Sequence, residues 1–213
     1  MFSPSFLVWA VVASALFAFG ALFWLVLSTF RFRRPHPAWT TDDRAWKGVQ
    51  YAFGRGMLPQ EKESAGKHRL TLAAGILYHS GIFAALSHLG YLLLGAPVPA
   101  VLSQPSQILF GISACCGLAL LIKRALTPQL RAISCPDDYA ANVVVDAFLL
   151  LSLLAARDRA WLDWLLIVSL IFFVYLPIGK IRHCLFFFYS RILFGLFFGR
   201  RRVLPHPGRE AQG

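Results

Sequence analysis

The sequence predicts an all-α membrane protein that crosses the bilayer with five helices. Of its 213 residues, 57% are hydrophobic and 15% are charged, which is more apolar and less charged than a soluble domain of this length. The apolar residues form five blocks, each long enough or nearly long enough to cross a hydrocarbon layer of ~30 Å. The blocks lie at about residues 5–30, 70–94, 106–126, 139–156 and 161–180. We therefore expect one membrane domain over residues 1–205, followed by a short tail at 206–213.

The distribution of positive charge predicts how the blocks are oriented. If each block crosses once, 19 of the 21 Lys and Arg residues fall on one side of the membrane, and Arg157 and Arg159 fall on the other. Positively charged loops remain in the cytoplasm, so we expect the N-terminus outside and the C-terminus in the cytoplasm. The net charge of +11 follows from this asymmetry and from attraction to anionic lipid. It does not require nucleic acid as a partner.

The first block is predicted to be an uncleaved first helix. No positive charge precedes it, it is longer than the apolar part of a signal peptide, and RFRR follows it. Beyond it, TTDD at 40–43 is suited to cap a short helix in which Trp46, Val49 and Phe53 share one side. Because basic residues occupy the rest of that helix, we expect it to lie on the cytoplasmic membrane surface.

The later connections are predicted from their turn residues. GAPVPAVLSQP is expected to be an external loop, TPQLRAISCPDD a cytoplasmic loop in which Asp137 or Asp138 caps the fourth helix, and RDR a tight external turn. Pro177 weakens the end of the fifth helix because it has no N–H to donate. The Phe-rich segment 185–198 is predicted to be too short and too aromatic for a sixth crossing. It should lie at the membrane interface or pack on the bundle.

Two classes of function are disfavoured by the pattern. The cysteines lack the spacing of metal ligands, and we expect all four to be small buried residues: Cys115, Cys116, Cys135 and Cys184. No internal repeat is visible, so an inverted-repeat transporter is not indicated.

The second block carries a histidine deep in the run ILYHSGIFAALSH at 76–88. On a helix, Gly75 and Phe83 lie within about 40° of His79, so Gly75 leaves space on one side of the ring and Phe83 forms an apolar wall on the other. One interpretation is close packing against Gly75, with the ring hydrogen-bonded to a neighbouring helix. The other is axial ligation of a porphyrin, which needs a nitrogen donor, a gap and apolar walls.

His183, near the cytoplasmic end of the fifth block, is the candidate for a second ligand from another helix. His79 lies about 10 residues inside the second block from the same side, a rise of ~15 Å, so the two depths agree approximately. They agree better if the fifth helix extends past Pro177. Two imidazoles on one iron give a low-spin haem that transfers electrons.

Three other polar side chains are secondary candidates. His88 lies on the face opposite His79, ~13.5 Å further along the helix, and is expected to form an interhelical hydrogen bond. His68 shares the His79 face at the water boundary, where it is suited to contact haem propionates or lipid headgroups. Asp146 in the fourth block is suited to accept a proton or bind a quinone, but pairing with Lys123 or Arg124 is the plainer expectation. His36 and His206 are assigned no role.

These motifs together resemble a known family of membrane cytochromes. LYHSGIFAALSH in the second block, RAISCPDD before the fourth and LPIGKIRHCLFF at the end of the fifth are similar to the gamma-subunit family of respiratory nitrate reductase. The resemblance covers residues 66–205, and the closing GRRRVLPHPG is closer to relatives in sulfur metabolism and heterodisulfide-reductase-like complexes. It implies that His79 and His183 ligate one b-type haem. A ligand of a second haem is missing near Leu165 and the other is out of register at His88, so one haem is expected, with two haems as the alternative.

The resemblance implies a non-catalytic or quinone-reactive subunit of an oxidoreductase complex in a prokaryotic cytoplasmic membrane. The subunit would relay electrons between the quinone pool and a cytoplasmic iron–sulfur protein. Gly75 would make room for the macrocycle, and Lys180 or Arg69 would neutralise its propionates. The alternatives are a membrane anchor of the same kind of complex that holds no haem, and a small transporter.

Overall fold

The computed structural model of the protein describes residues 4–32, 44–58, 61 and 68–201. Within these ranges the chain is helical and contains no strand, which confirms the predicted all-α class. The α-helices of the described ranges are α1 (Pro4–Thr29), α2 (Arg44–Phe53), α3 (Arg69–Leu93), α4 (Ala100–Leu126), α5 (Pro128–Ala132), α6 (Pro136–Arg157), α7 (Leu162–Tyr175) and α8 (His183–Arg201). The predicted cap at 40–43, His36, and the tail with His206 lie outside the described residues.

Five helical segments in these ranges are long and apolar enough to cross a membrane, as predicted. They are Phe6–Thr29, Arg69–Leu93, Ala100–Leu126, Pro136–Arg157 and Lys180–Arg201. The first four coincide with the first four predicted blocks. Two of them begin earlier than expected, since α4 includes Pro105 and α6 starts with Pro136 in its first turn, where a missing N–H costs nothing.

The fifth long helix differs from the prediction. Between residues 161 and 180, the α-helix covers only Leu162–Tyr175, a rise of ~21 Å, because Pro177 lacks the N–H that would continue it. The Phe-rich segment belongs instead to the continuous stretch Lys180–Arg201, which has 22 residues. The prediction that this segment is too short to cross is therefore wrong, because the helix begins earlier and ends later than 185–198.

The chain divides into two compact units. The first contains residues 1–24 and 69–182, and the second contains residues 25–68 and 183–213. The single domain expected over residues 1–205 stays a prediction.

In the first unit, α3 packs on α4 and α6, α4 packs on α6, and α6 packs on α7. Small residues let these helices approach closely: a Cβ at Gly81 would collide with Ser113, whose hydroxyl donates to the carbonyl oxygen of Leu77 at 2.7 Å. Aromatic rings fill the wider gaps, and Phe148 stacks on Phe172 with ring centroids 5.1 Å apart. Close small-residue contact with interhelical hydrogen bonds is the usual way in which helices associate in lipid.

In the second unit, α2 packs along α8 with backbone in contact with backbone. A Cβ at Gly48 would collide with Gly195 and Gly199, and a Cβ at Gly195 would collide with Val49. Gly195 and Gly199 form a Gly-x-x-x-Gly pair, the spacing that allows two helices to cross closely. The predicted amphipathic helix is therefore present, with Val49 buried against its partner and Trp46 exposed.

One local prediction is confirmed and one needs correction. Asp138 caps α6 as predicted, from the third helical position of a capping box whose N-cap is Cys135; its carboxylate accepts a hydrogen bond from the Cys135 N–H at 2.9 Å. The cysteines are not buried, since Cys116 is half-buried and the other three are exposed.

Candidate functional site

His79 lies on an exposed face of α3, and its ring is oriented by its own helix. Its Nδ1 is 2.7 Å from the carbonyl oxygen of Gly75, one turn earlier. A carbonyl only accepts, so Nδ1 carries the proton, and in the neutral ring the lone pair is then on Nε2. Metal-binding histidines are usually oriented in this way, by donating their other N–H to a backbone carbonyl or a carboxylate.

The surroundings of Gly75 provide the space that the sequence predicts. A Cβ at this position would meet no atom within 4 Å. Phe83, one turn beyond His79 on the same face, is 61% exposed. This face of α3 therefore offers an imidazole, an open space and an apolar ring, while the opposite face packs into the first unit.

His183 is the first residue of α8, where it is exposed, and it belongs to the second unit. The fifth helix does not extend past Pro177 to reach it, because α7 ends at Tyr175 and a new helix begins at His183. The pairing of His79 with His183 stays a prediction.

The two predicted propionate partners both lie in the first unit. Arg69 is the exposed first residue of α3. Lys180 lies in the 3₁₀ turn before α8, and its Nζ donates to the carboxylate of Asp138 at 2.7 Å. An exposed pair of this kind contributes little to stability, but it holds the lysine beside the start of α6. His68 is exposed immediately before α3.

His88 is buried on the packed face of α3, as its spacing from His79 predicts. It is 9% exposed, and its ring meets Phe110 of α4 edge-on at 5.7 Å between centroids. Its Nδ1 has no hydrogen-bond partner within the described chain. The interhelical hydrogen bond expected for this residue is therefore replaced, at Nδ1, by an aromatic contact.

Asp146 belongs to a polar cluster whose Tyr78 and Gly117 members were not predicted from the sequence. Its Oδ2 accepts from Asn142 Nδ2 at 2.8 Å, and the same amide lies 3.2 Å from the Tyr78 hydroxyl and 3.3 Å from the Gly117 carbonyl oxygen. Asp146 Oδ1 is buried and lacks a partner among the described residues. The cluster thus joins α3, α4 and α6, and the Asn142–Asp146 spacing of one helical turn was the available signal for half of it.

The expected pairing of Asp146 with Lys123 or Arg124 is wrong. Lys123 Nζ donates to the Thr71 hydroxyl at 2.5 Å, and Arg124 donates to the Ser134 hydroxyl at 3.0 Å. Asp146 lies level with Gly117, and Lys123 lies six residues further along α4, ~9 Å nearer the helix end. The basic side chains therefore bond to groups at that end instead.

Within the part of the chain that the structure describes, no group of three or more His, Cys, Asp or Glu residues is arranged to hold a metal ion. A haem requires at most two protein ligands, so this finding does not bear on the histidine pair. Comparisons with models of protein families, with curated proteins and with solved structures gave no match for this chain.

Proposed function

We propose that this protein is a membrane electron-transfer subunit, similar to the gamma subunits of respiratory nitrate reductases, with one b-type haem ligated by His79 and His183. It would relay electrons between the quinone pool and a cytoplasmic iron–sulfur protein in a prokaryotic cytoplasmic membrane. The observation that carries the proposal is the His79–Gly75 arrangement: an imidazole whose Nδ1 is bound by a backbone carbonyl, beside open space on an apolar face.

The residues of the first unit fit a haem in chemistry and in space. Gly75 leaves room where any side chain would intrude, and Phe83 offers an apolar surface on the same face. Bound there, haem would supply a one-electron redox centre.

The protein's own residues would tune and anchor that centre. The Gly75 carbonyl restricts rotation of the His79 ring and fixes its tautomer, as such second partners do at metal sites. Arg69, nine residues before Tyr78 and at the start of α3, would supply positive charge to the propionates. Lys180 shares its charge with Asp138, so it would contribute less.

The proposed topology places the N-terminus outside and α2 with α8 on the cytoplasmic surface. Five segments have the length to cross, but α8 is in backbone contact with α2, a helix that contains Arg44, Lys47 and Gln50. Polar side chains of this kind are costly in hydrocarbon. We therefore assign the fifth crossing to α7 with the 3₁₀ turn Arg159–Trp161 before it, which together rise ~27 Å.

The partner would carry the rest of the chain of redox centres. The sequence has four cysteines without cluster spacing, so iron–sulfur centres would belong to another protein. The partner would dock on the cytoplasmic side of this protein, where most of its Lys and Arg residues are expected.

The test is the absorption spectrum of protein purified from haem-replete cells. The reduced protein should show a b-type spectrum that is lost in both His79→Ala and His183→Ala. The matched controls are His36→Ala and His206→Ala, which should keep it. A folded but colourless wild-type protein would contradict the haem proposal and favour the alternative of an anchor subunit.

A further inference from the structure

We propose that Tyr78, Asn142 and Asp146 form a proton-binding site within the membrane, in which Asp146 is protonated at neutral pH. Asn142 is the centre of the cluster, because its amide nitrogen contacts Asp146 Oδ2, the Tyr78 hydroxyl and the Gly117 carbonyl oxygen at 2.8–3.3 Å. All these residues belong to the first unit. The inference does not depend on the presence of haem.

The cluster lies near the middle of the apolar layer. Tyr78 is nine residues from the start of α3 at Arg69, and Gly117 is nine residues from the end of α4 at Leu126, each a rise of ~13.5 Å. Asp146 is ten residues from the start of α6 at Pro136, a rise of ~15 Å. These three helix ends lie on the same side, so the depths agree and correspond to half of a ~30 Å hydrocarbon layer.

The packing around Asp146 leaves the side chain half-buried and encloses one of its two oxygens. A Cβ at Gly117 would collide with the Asp146 carboxylate and with the Tyr78 ring, so α4 presses its backbone against the cluster. Asp146 Oδ2 accepts from Asn142, but Oδ1 is buried without a partner among the described residues. An ionised carboxylate half-buried in this way has only neutral donors, the Asn142 amide and the Tyr78 hydroxyl, which compensate poorly for its lost hydration.

The charged groups on the neighbouring helices bond elsewhere. On α4, Lys123 binds Thr71 and Arg124 binds Ser134, both near the helix end. On α3 the facing titratable group is the Tyr78 phenol, which is itself neutral at pH 7. On α7, Tyr175 donates to Asp137, which lies nine residues before Asp146. No cation therefore offsets a negative charge on Asp146 within the described chain.

Protonation of Asp146 removes its negative charge and places the proton on Oδ1, the oxygen without a hydrogen-bond partner in the described chain. The carboxylate and one proton form a neutral carboxylic acid with the proton on Oδ1, while Oδ2 keeps its bond to Asn142. No electron is transferred, and the proton is exchanged with water as the pH changes. The site is thus suited to store or pass single protons at mid-membrane depth.

The test is the infrared carbonyl band of a protonated carboxyl group, recorded on the purified full-length protein at neutral pH and during an alkaline titration. The wild type should show the band at neutral pH and lose it at alkaline pH. Asp146→Asn should lack it altogether, while the matched control Asp163→Asn, on the first turn of α7, should retain it. Tyr78→Phe should shift the band frequency and its titration, because the hydroxyl beside Asn142 is removed.

Three outcomes would overturn the proposal. The first is a wild-type protein without the band at neutral pH. The second is a band that Asp146→Asn leaves in place. The third is a band that appears only when sodium is removed, which would assign the site to a monovalent cation. If Asp146→Asn fails to fold, a band unaffected by Tyr78→Phe would decide against the cluster.

Discussion

At the scale of single residues, the glycines of this protein differ in what surrounds them: some face open space and others are in close contact with neighbouring side chains. Gly75 faces open space beside His79, whereas Gly117 is in contact with Asp146 and Tyr78. The same substitution should therefore have different consequences at the two positions, and each consequence tests a different part of the account.

Filling the space at Gly75 should remove haem without harming the fold. A Cβ at this position would meet no atom within 4 Å, and the rest of a leucine side chain would occupy the space beside the His79 ring. We expect Gly75→Leu to lower the haem content of the purified protein at least several-fold, with thermal stability unchanged. The control is Gly20→Leu, since Gly20 on α1 is equally open. Equal haem content in both variants would contradict the proposed position of the macrocycle.

Adding a methyl group at Gly117 should destabilise the protein. The new Cβ would collide with the carboxylate of Asp146 and the ring of Tyr78, and overpacking of this kind costs about 1–3 kcal/mol. Thermal or denaturant unfolding of Gly117→Ala measures the effect. At the control position Gly111, a Cβ would make an ordinary contact at 3.7 Å from Leu153, so Gly111→Ala should be close to neutral. Similar stability of the two variants would show that the cluster is not tightly enclosed.

At the scale of the helices, α2 should depend on α8 for its stability. It has ten residues, and isolated helices of that length are marginal in water. Gly48→Ala should separate the two backbones, because the Cβ would collide with Gly195 and Gly199. We expect faster amide hydrogen exchange in residues 44–53 of this variant than in Gly20→Ala. Unchanged exchange would mean that α2 is held by other contacts.

The helices also show where hydropathy is a sufficient guide and where it is not. Four long apolar helices were predictable from composition, although α4 begins before Pro105 and not after it. The fifth long helix was not predictable in the same way. Pro177 follows the end of α7, and the Gly-x-x-x-Gly pair at 195–199 lets α8 pack closely against α2. Hydropathy averages over such breaks and does not detect a helix–helix crossing.

The candidate site was predictable in part for a related reason. The faces of His79 and His88 follow from the helical period, and the structure places them on opposite sides of α3 as expected. The contacts of this cluster with Tyr78 and Gly117 did not follow, because they depend on how α3, α4 and α6 are rotated against each other. Tyr78 directly precedes His79 in sequence. Its ring faces the Asp146 cluster, whereas His79 lies on the exposed face of α3.

At the scale of the whole molecule, the orientation in the membrane can be tested with the natural cysteines. Cys135 and Cys184 are exposed in the described structure, and the proposed topology places both on the cytoplasmic side. A membrane-impermeant maleimide should leave them unlabelled in intact cells and label them after permeabilisation. An added cysteine at exposed Ala160, in the external turn, should react in intact cells. Labelling of Cys135 without permeabilisation would show the opposite orientation.

The central claim is that imidazoles from two separate helices bind one iron. Electron paramagnetic resonance of the oxidised, purified protein, combined with haem and protein assays, tests it most directly. We expect one low-spin haem per chain with two imidazole ligands, and loss of that signal in both His79→Ala and His183→Ala. A signal that survives His183→Ala unchanged, or a folded protein from haem-replete cells that contains no haem, would contradict it.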